Sequence, residues 1–113
     1  MNESILATIK NMLGYDAETE TPFDVEIITS INSAFATLTQ LGLGPTSGFS
    51  ISDSTSVWGD IIPEGMNLEF VKSYIYLKTR VLFDPPASSS VLDKMVEQIK
   101  EYEFRINVEV DER

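Results

Sequence analysis

The chain has 113 residues, of which 42% are hydrophobic, and this length and composition predict one folded domain over 1–113. Its net charge of −10, from 18 acidic and 8 basic residues, argues against nucleic-acid binding through clustered phosphate contacts. Cysteine and histidine are absent, so disulfides, thiolate sites, the commonest general base and the favoured zinc and copper ligands are missing.

The first predicted element is an amphipathic helix over 3–13, with Ile5 and Ile9 on one face, Asn2 as its N-cap and Gly14 as its stop. This N-terminal segment lacks the basic start and the cleavage site of a signal peptide. No stretch of the chain is long and apolar enough to span a membrane. We therefore expect an intracellular, soluble protein.

A second helix is predicted after an acidic linker at 16–21. We interpret the linker as a solvated loop, because the glycine and the distal glutamate of a calcium-binding EF-hand are missing. Thr21 as N-cap, Pro22 at the first helical position and Asp24 in a capping box begin the helix. Apolar residues at three- and four-residue spacing continue it to Leu41.

Residues 46–66 are the least regular part of the chain. Phe49 and Ile51 alternate with serines, which permits a short β-hairpin, whereas a one-turn helix over 58–62 is an equal alternative. We expect Trp58 to anchor this loop to the core rather than to bind a ligand, because large aromatic side chains mostly serve packing. A long irregular loop between two helices is uncommon and often functional.

The centre of the chain is a predicted helix over 68–83, LEFVKSYIYLKTRVLF. Its two adjacent apolar stripes indicate packing from several sides rather than on one surface. Pro85 and Pro86 end it, because proline disfavours helical geometry in the residue before it. We expect this element to be the central helix of a small helical domain.

Cations concentrate on this helix, since segment 67–86 carries three basic residues against two acidic ones in an otherwise acidic chain. Lys72, Tyr76 and Arg80 form a narrow polar seam at four-residue spacing. One interpretation is weak local pairing. The other is that the cations, with Lys78, meet an acidic patch of a neighbouring copy in a head-to-tail assembly, but charge alone favours local pairing. The local pairs would be Lys72 with Glu69 and Arg80 with Asp84.

A fourth helix is predicted after the serine run at 88–90. Its apolar residues follow a three-four spacing and form a seam for docking onto the central helix. These residues are Leu92, Met95, Ile99, Tyr102 and Ile106. From Ile106 onward the apolar pattern changes to period two, which predicts an extended C-terminal tail whose apolar side needs the core or a partner chain.

No sequence pattern indicates a catalytic site. No histidine can activate a serine, and neither a G-x-S-x-G nor an S-x-x-K motif occurs. No lysine follows a glycine, as a P-loop requires. We therefore expect no enzyme activity, no catalytic residue, no cofactor and no metal; an enzyme would need acidic residues converging on Mg²⁺ or Ca²⁺.

Two runs of the chain resemble a known family. VKSYIYLKTRVLFDPPASS at 71–89 and EYEFRINVEV at 101–110 are similar to head–tail connector proteins of tailed bacteriophages, adaptors also described as DNA-packaging proteins. The order of features agrees as well: a short first helix, a capped second helix that ends in L-G-x-G, and an irregular loop that contains Val57-Trp58. The resemblance spans nearly the whole chain and includes no catalytic signature.

This resemblance implies an all-α subunit, a bundle of about four helices, that assembles as a homo-oligomeric ring of about twelve copies under the portal protein. Such a ring extends the DNA channel, lets DNA pass without specific binding, and docks a stopper or tail-completion protein. It implies a location in the virion at the head–tail interface, after assembly in the host cytoplasm.

The resemblance also implies where partners bind. The polar seam of the central helix is expected to contact neighbouring subunits, the 46–62 loop to face the channel or the neighbouring ring, and the 104–113 tail to bind the portal. The roles of loop and tail could be exchanged. The residues concerned are Lys72, Tyr76 and Arg80 in the seam, Phe49, Ile51 and Trp58 in the loop, and Phe104, Ile106, Val108 and Val110 in the tail.

A different class of protein also fits the composition, namely a small acidic helical binding or regulatory protein, such as an antitoxin-like protein, that masks a basic surface of its partner. An adaptor forms a large homomeric ring, whereas a masking protein needs only a dimer or a heterodimer. The oligomeric state therefore discriminates between these two functions.

Overall fold

A computed structural model of the protein describes residues 2–62 and 67–111. The predicted all-α class is confirmed over these residues, whose only β-type pairing is an isolated bridge between Ser4 and Val57. In the described part of the 46–66 loop, a helical turn is observed and not the β-hairpin. Positions 63–66 of this loop and positions 112–113 of the predicted tail lie outside the described residues. The helices are α1 (Ile5–Leu13), α2 (Asp24–Gln40), a 3₁₀-helix (Trp58–Asp60), α3 (Leu68–Phe83) and α4 (Ser89–Asp111).

The predicted central helix is α3, because α1, α2 and α4 all pack against it. It begins after Asn67, whose Oδ1 accepts a hydrogen bond from the backbone N–H of Phe70 at 3.2 Å. It ends at Phe83, since Pro85 disfavours helical geometry at Asp84. The wide apolar surface of α3 is therefore covered from several sides, as its sequence predicts.

The start of α1 differs from the prediction, but its end does not. The N-cap is Ser4 rather than Asn2, and its Oγ accepts a hydrogen bond from the backbone N–H of Ala7 at 3.2 Å. Serine is among the best N-cap residues because its short side chain reaches the unpaired N–H groups of the first turn. Gly14 ends the helix with a φ of 95°, a left-handed conformation that favours glycine.

The start of α2 also lies later than predicted. The N–H of Asp24 donates to the carbonyl oxygen of Thr21 at 3.1 Å, which closes a turn and leaves Thr21 and Pro22 outside the helix. The Asp24 carboxylate does not serve a capping box, because its Oδ1 lies 2.7 Å from Nζ of Lys10. Lys10 is only 1% exposed, so an ion pair between α1 and α2 fixes this helix end.

The acidic linker is a mostly exposed loop, as predicted. Its first carboxylate, Asp16, accepts hydrogen bonds from the backbone N–H groups of Glu18 at 2.9 Å and Thr19 at 3.0 Å. These hydrogen bonds, led by the one from Thr19, lower the pKa of Asp16 because they stabilise its charged form. The carboxylate therefore orders a turn.

The prediction of an extended C-terminal tail is wrong, because α4 continues without a break to Asp111. Ile106 and Val110 are four residues apart and so share one helical face. Ile106 is fully buried and Val110 is half-buried, whereas Val108 between them is 39% exposed. The alternating apolar residues therefore belong to a helix, in which Ile106 and Val110 lie on the inward face and Val108 lies on the outward face.

The last turns of α4 are docked against the segment that follows α2. A Cβ added to Gly42, whose φ is 95°, would lie only 3.0 Å from Cγ1 of Val110. The side chain of Asn107 donates a long hydrogen bond, 3.5 Å, to the carbonyl oxygen of Leu41. The glycine of the L-G-x-G run therefore serves the packing of α4 as well as the end of α2.

Candidate assembly surfaces

The polar seam of α3 is divided between the interior and the surface. Lys72 is only 8% exposed, and its Nζ lies 3.3 Å from a carboxylate oxygen of Glu3 and 3.8 Å from one of Glu69. It also lies 6.0 Å from the ring centroid of Trp58. The predicted local pair with Glu69 is present, but the closer partner is Glu3, which lies 69 residues earlier in the chain. The contact of Lys72 with a neighbouring copy stays a prediction.

Tyr76 and Arg80 lie further along the same face and are half-buried. Arg80 donates from Nη1 to the hydroxyl of Tyr76 at 3.2 Å and from Nε to the carbonyl oxygen of Asp84 at 2.9 Å. The predicted local partner was the carboxylate of Asp84, but the structure uses its backbone carbonyl to close the end of α3. Both side chains keep part of their surface toward solvent, and their contact with a neighbouring subunit stays a prediction.

Trp58 anchors the 46–62 loop, as predicted. It is fully buried, and its indole N–H donates to Oγ1 of Thr8 at 3.1 Å. The backbone adds two hydrogen bonds to the start of α1, from N–H of Trp58 to the carbonyl oxygen of Glu3 at 3.2 Å and from N–H of Ile5 to that of Ser56 at 3.0 Å. The end of the loop is therefore fixed to α1.

Asn32 of α2 holds the first half of the loop. Its side-chain amide donates to the carbonyl oxygen of Ile51 at 2.9 Å and accepts from the N–H of the same residue at 2.8 Å. Ile51 is buried, and Phe49 packs edge-on against Phe35 with ring centroids 5.2 Å apart. Residues 52–55 are all exposed and form the polar tip of the loop.

The predicted tail residues divide by helical face. Ile106 and Val110 face the core, whereas Phe104 is 70% exposed and Val108 is 39% exposed. Phe104 and Val108 are four residues apart and form one apolar stripe on the outward side of α4, which we call the α4 ridge. Adjacent exposed apolar side chains are typical of contact surfaces, whereas single ones are common on any protein.

A second apolar surface was missed by the sequence analysis. Phe23 and Val25 at the start of α2 are 48% and 73% exposed, and Leu82 near the end of α3 is 54% exposed. With Phe83 they line a shallow groove between the two helices, which we call the α2–α3 groove. Its other lining residues are Glu26, Thr29 and Ser30.

An aromatic cluster forms one side of the α2–α3 groove. The ring centroids of Phe23 and Phe83 are 5.9 Å apart, and Tyr15 lies 6.2 Å from the first and 6.3 Å from the second. Such tilted and edge-on packing is the favoured geometry of aromatic pairs and holds the rings in place. The groove is therefore a preformed surface.

A polar contact holds α4 on α3. The hydroxyl of Tyr74, a fully buried residue, donates to Oε2 of Glu103 at 2.8 Å, and Nζ of Lys78 lies 3.7 Å from the same oxygen. Burial, with the hydrogen bond to Glu103 and its negative charge, raises the pKa of the Tyr74 phenol far above its usual value. The phenol therefore remains a hydrogen-bond donor at any ordinary pH.

Within residues 2–62 and 67–111, no group of three or more acidic side chains converges in a way that could hold a metal ion. In the same part of the chain, none of the helices combines the length and the apolar character that a membrane crossing requires. The candidate contact surfaces of the described residues are the α4 ridge, the α2–α3 groove and the loop tip.

Exposed apolar surfaces on an all-α domain are typical of a protein that works by contact with other proteins. The chain matches the family model described as phage connector protein over residues 5–113. This match covers nearly the whole chain, so the protein belongs to the phage connector protein family. No curated protein and no solved structure matches the chain.

Family membership confirms the resemblance that the runs at 71–89 and 101–110 indicate. It favours a connector role over the masking-protein alternative, because that alternative predicts no relation to phage connectors. A connector role is structural, and it agrees with the expectation that the protein is not an enzyme.

Proposed function

We propose that the protein is the adaptor of a tailed-phage or prophage head–tail connector, which assembles as a ring of about twelve copies under the portal protein. The ring extends the DNA channel and docks the stopper or tail-completion protein. The observation that carries this proposal is the connector family match over residues 5–113. The protein then works at the head–tail interface of the virion, after assembly in the host cytoplasm.

Two exposed apolar surfaces support a ring. A closed ring of identical subunits needs two different surfaces on each subunit, which meet head to tail. The α4 ridge and the α2–α3 groove lie on different helices, and α4 packs chiefly on α3 rather than on α2. A subunit of this shape can therefore bind one neighbour on each side.

The charge distribution supports a channel that DNA crosses without being held. A wall with many free cations would bind phosphates, whereas this chain has only 8 basic residues against 18 acidic ones. Three of the lysines are engaged within the subunit: Lys10 with Asp24, Lys72 with Glu3, and Lys78 with Glu103. The remaining surface is strongly acidic and repels DNA.

Burial divides the contact residues that the sequence predicts. We propose that partners meet the members with exposed surface, which are Phe49, Tyr76, Arg80, Phe104, Val108 and Val110. The buried members support these surfaces from inside the subunit, and they are Ile51, Trp58, Lys72 and Ile106. Because the C-terminal segment is helical through Asp111, any portal contact there is made by a helix face.

Multi-angle light scattering tests this function. The purified chain is measured alone and then mixed with the portal protein encoded in the same genome neighbourhood. A closed ring of the chain, or a stoichiometric complex with the portal, is the expected result, and a monomer that binds the portal agrees with a ring formed on a template. A monomer or dimer that ignores its own portal would contradict the proposal. A portal from an unrelated phage is the specificity control.

A further inference from the structure

We propose that the α4 ridge of one copy fills the α2–α3 groove of the next copy, with Lys100 of the first beside Glu26 of the second. The inference rests on the proposed function, because it names the two surfaces that join neighbouring subunits of the ring. It departs from the sequence expectation in two ways. It assigns Phe104 and Val108 to a subunit contact rather than to the portal, and it adds the groove.

The α2–α3 groove has the properties of a receptor for an apolar side chain. Val25 and Leu82 form its exposed edges, and the packed aromatic cluster keeps it open without a partner. Preformed apolar surfaces of this kind accept aromatic anchors at protein interfaces. Glu26 is the charged residue that lines the groove, and within the described residues it has no ion-pair partner.

The α4 ridge has the complementary chemistry. Phe104 is the most exposed aromatic anchor on α4, and Val108 extends its apolar stripe by one turn. Lys100, one turn before Phe104, is exposed and has no ion-pair partner in the part of the chain that the structure describes. The nearby Glu101 is paired with Arg105 at 2.6 Å. An apolar stripe with a cation at one end thus matches an apolar groove with an anion.

Charge also sets the direction of the contact. Asp111 follows Val108 by three residues, so the far end of the ridge is acidic and would be repelled by Glu26. Only one orientation places Lys100 over Glu26 and keeps Asp111 away from it. A contact between two different surfaces is heterologous, so an open chain of copies keeps a free groove at one end and a free ridge at the other until a ring closes.

Cysteine cross-linking tests the contact, because the chain has no native cysteine. The full-length double variant Val25→Cys with Val108→Cys is assembled with its portal and treated with a short bismaleimide cross-linker. Both positions are exposed, so the variant is expected to fold. The matched control replaces exposed Asn11 of α1 in place of Val25, as Asn11→Cys with Val108→Cys.

The expected result is a ladder of covalent oligomers from the 25/108 pair and none from the 11/108 pair. A head-to-tail contact links each copy to two others and gives a ladder, whereas a symmetric contact at either one of these positions stops at dimers. Assembly on the portal without a 25/108 ladder, or equal ladders from both pairs, would overturn the inference and leave the proposed function standing. Failure of the unmodified chain to assemble at all would overturn both.

A charge exchange tests the orientation. Glu26→Lys alone should weaken subunit association roughly tenfold by placing two cations together. Adding Lys100→Glu should restore association, because the attractive pair is rebuilt with its signs reversed. The effect is measured as the chain concentration at which half of the portal carries a ring. Additive losses in the double variant would show that Lys100 and Glu26 do not meet.

Discussion

The helices α1 to α3 and the helix α4 are stabilised in different ways. The 9 residues of α1 place Ile5, Leu6 and Ile9 in the core, whereas the 23 residues of α4 place only Ile99 and Ile106 there. The loop between α2 and α3 belongs with the first group, since it is pinned to α1 and α2. Apolar burial, the main stabilising term in folding, is therefore concentrated outside α4.

The long helix α4 is instead attached at separate points along its length. Tyr102 stacks edge-on against Phe70 with ring centroids 4.9 Å apart, and Glu103 accepts the hydrogen bond of Tyr74. Val110 meets Gly42 at the far end. This arrangement leaves the outward side of α4 available for partners, so we expect changes in the α1–α3 core to affect stability and changes on the outside of α4 to affect assembly.

The largest loss of stability is expected for Trp58→Ala. Removing a fully buried indole leaves a cavity and frees the hydroxyl of Thr8, and we expect about 3–5 kcal/mol of destabilisation. Urea unfolding followed by circular dichroism measures it, because the variant lacks the chain's single tryptophan. Phe104→Ala on the α4 ridge is the matched aromatic control and should cost less than about 0.5 kcal/mol. Equal losses would remove the distinction between the two regions.

Two substitutions in α4 test whether the C-terminal segment is helical and not extended. Ile106→Ala should cost about 2–3 kcal/mol because this side chain is fully buried. Val108→Ala should stay within about 0.5 kcal/mol because its side chain faces outward. Both are measured by urea unfolding. An extended segment would place the two side chains on one face, so similar losses would argue against the helix.

The loop anchor Asn32 should matter less than either core residue. Asn32→Ala removes two hydrogen bonds from the backbone of Ile51, and we expect a loss of about 1–2 kcal/mol in stability. In the same variant, hydrogen exchange of the Ile51 amide should be faster than in the unmodified protein. The neighbouring exposed Ser33→Ala is the control and should leave both quantities nearly unchanged. An unaltered Ile51 amide in the Asn32 variant would show that the loop is held by Trp58 alone.

The smallest expected effect concerns pH and the contact between α3 and α4. The pKa of Tyr74 is raised in the folded state, so its neutral form is the stabilised one. Its contribution is complete below the unfolded pKa of about 10 and falls above it, by about 1.4 kcal/mol per pH unit. Between pH 9 and 11, the free energy of unfolding measured in urea should therefore fall less steeply with pH for Tyr74→Phe than for the unmodified protein. If the free energy of unfolding changed with pH in parallel for the two proteins, a neutral Tyr74 phenol that donates to Glu103 would be contradicted.

Where the sequence predicts the fold well, the controlling signals are local. Each helix end that a local signal predicts is observed: α3 ends before the proline pair that follows Asp84, and α1 ends before the glycine that follows Leu13. The wide apolar surface of α3 likewise predicts its packing from several sides. The family resemblance likewise rests on a contiguous run. Local turn and helix chemistry does not depend on which distant segment packs nearby.

The errors arise where partners are far apart in the chain. Lys72 pairs most closely with Glu3, 69 residues earlier, and Lys10 takes the carboxylate that the sequence assigns to a cap. The alternation of Ile106, Val108 and Val110 fits a strand and a helix equally well until the position of Gly42 is known. Sequence spacing alone does not contain these distances.

The α2–α3 groove was missed for a related reason. Phe23 and Leu82 look like ordinary core residues in the sequence, and only the packing of α2 against α3 shows that part of each side chain stays exposed. Val25 carries the one local signal, because it falls outside the apolar stripe of α2. The sequence analysis does name Phe104 and Val108, which form the α4 ridge, but it groups them with the buried Ile106 because it assigns an incorrect secondary structure.

Single-particle electron microscopy of the chain mixed with its portal would show whether copies of the chain form a ring there. We expect a rotationally symmetric ring of added density on one end of the portal, made of about twelve copies, with the helix α4 of each copy against its neighbour. A bare portal, or chains attached without contact to one another, would contradict it.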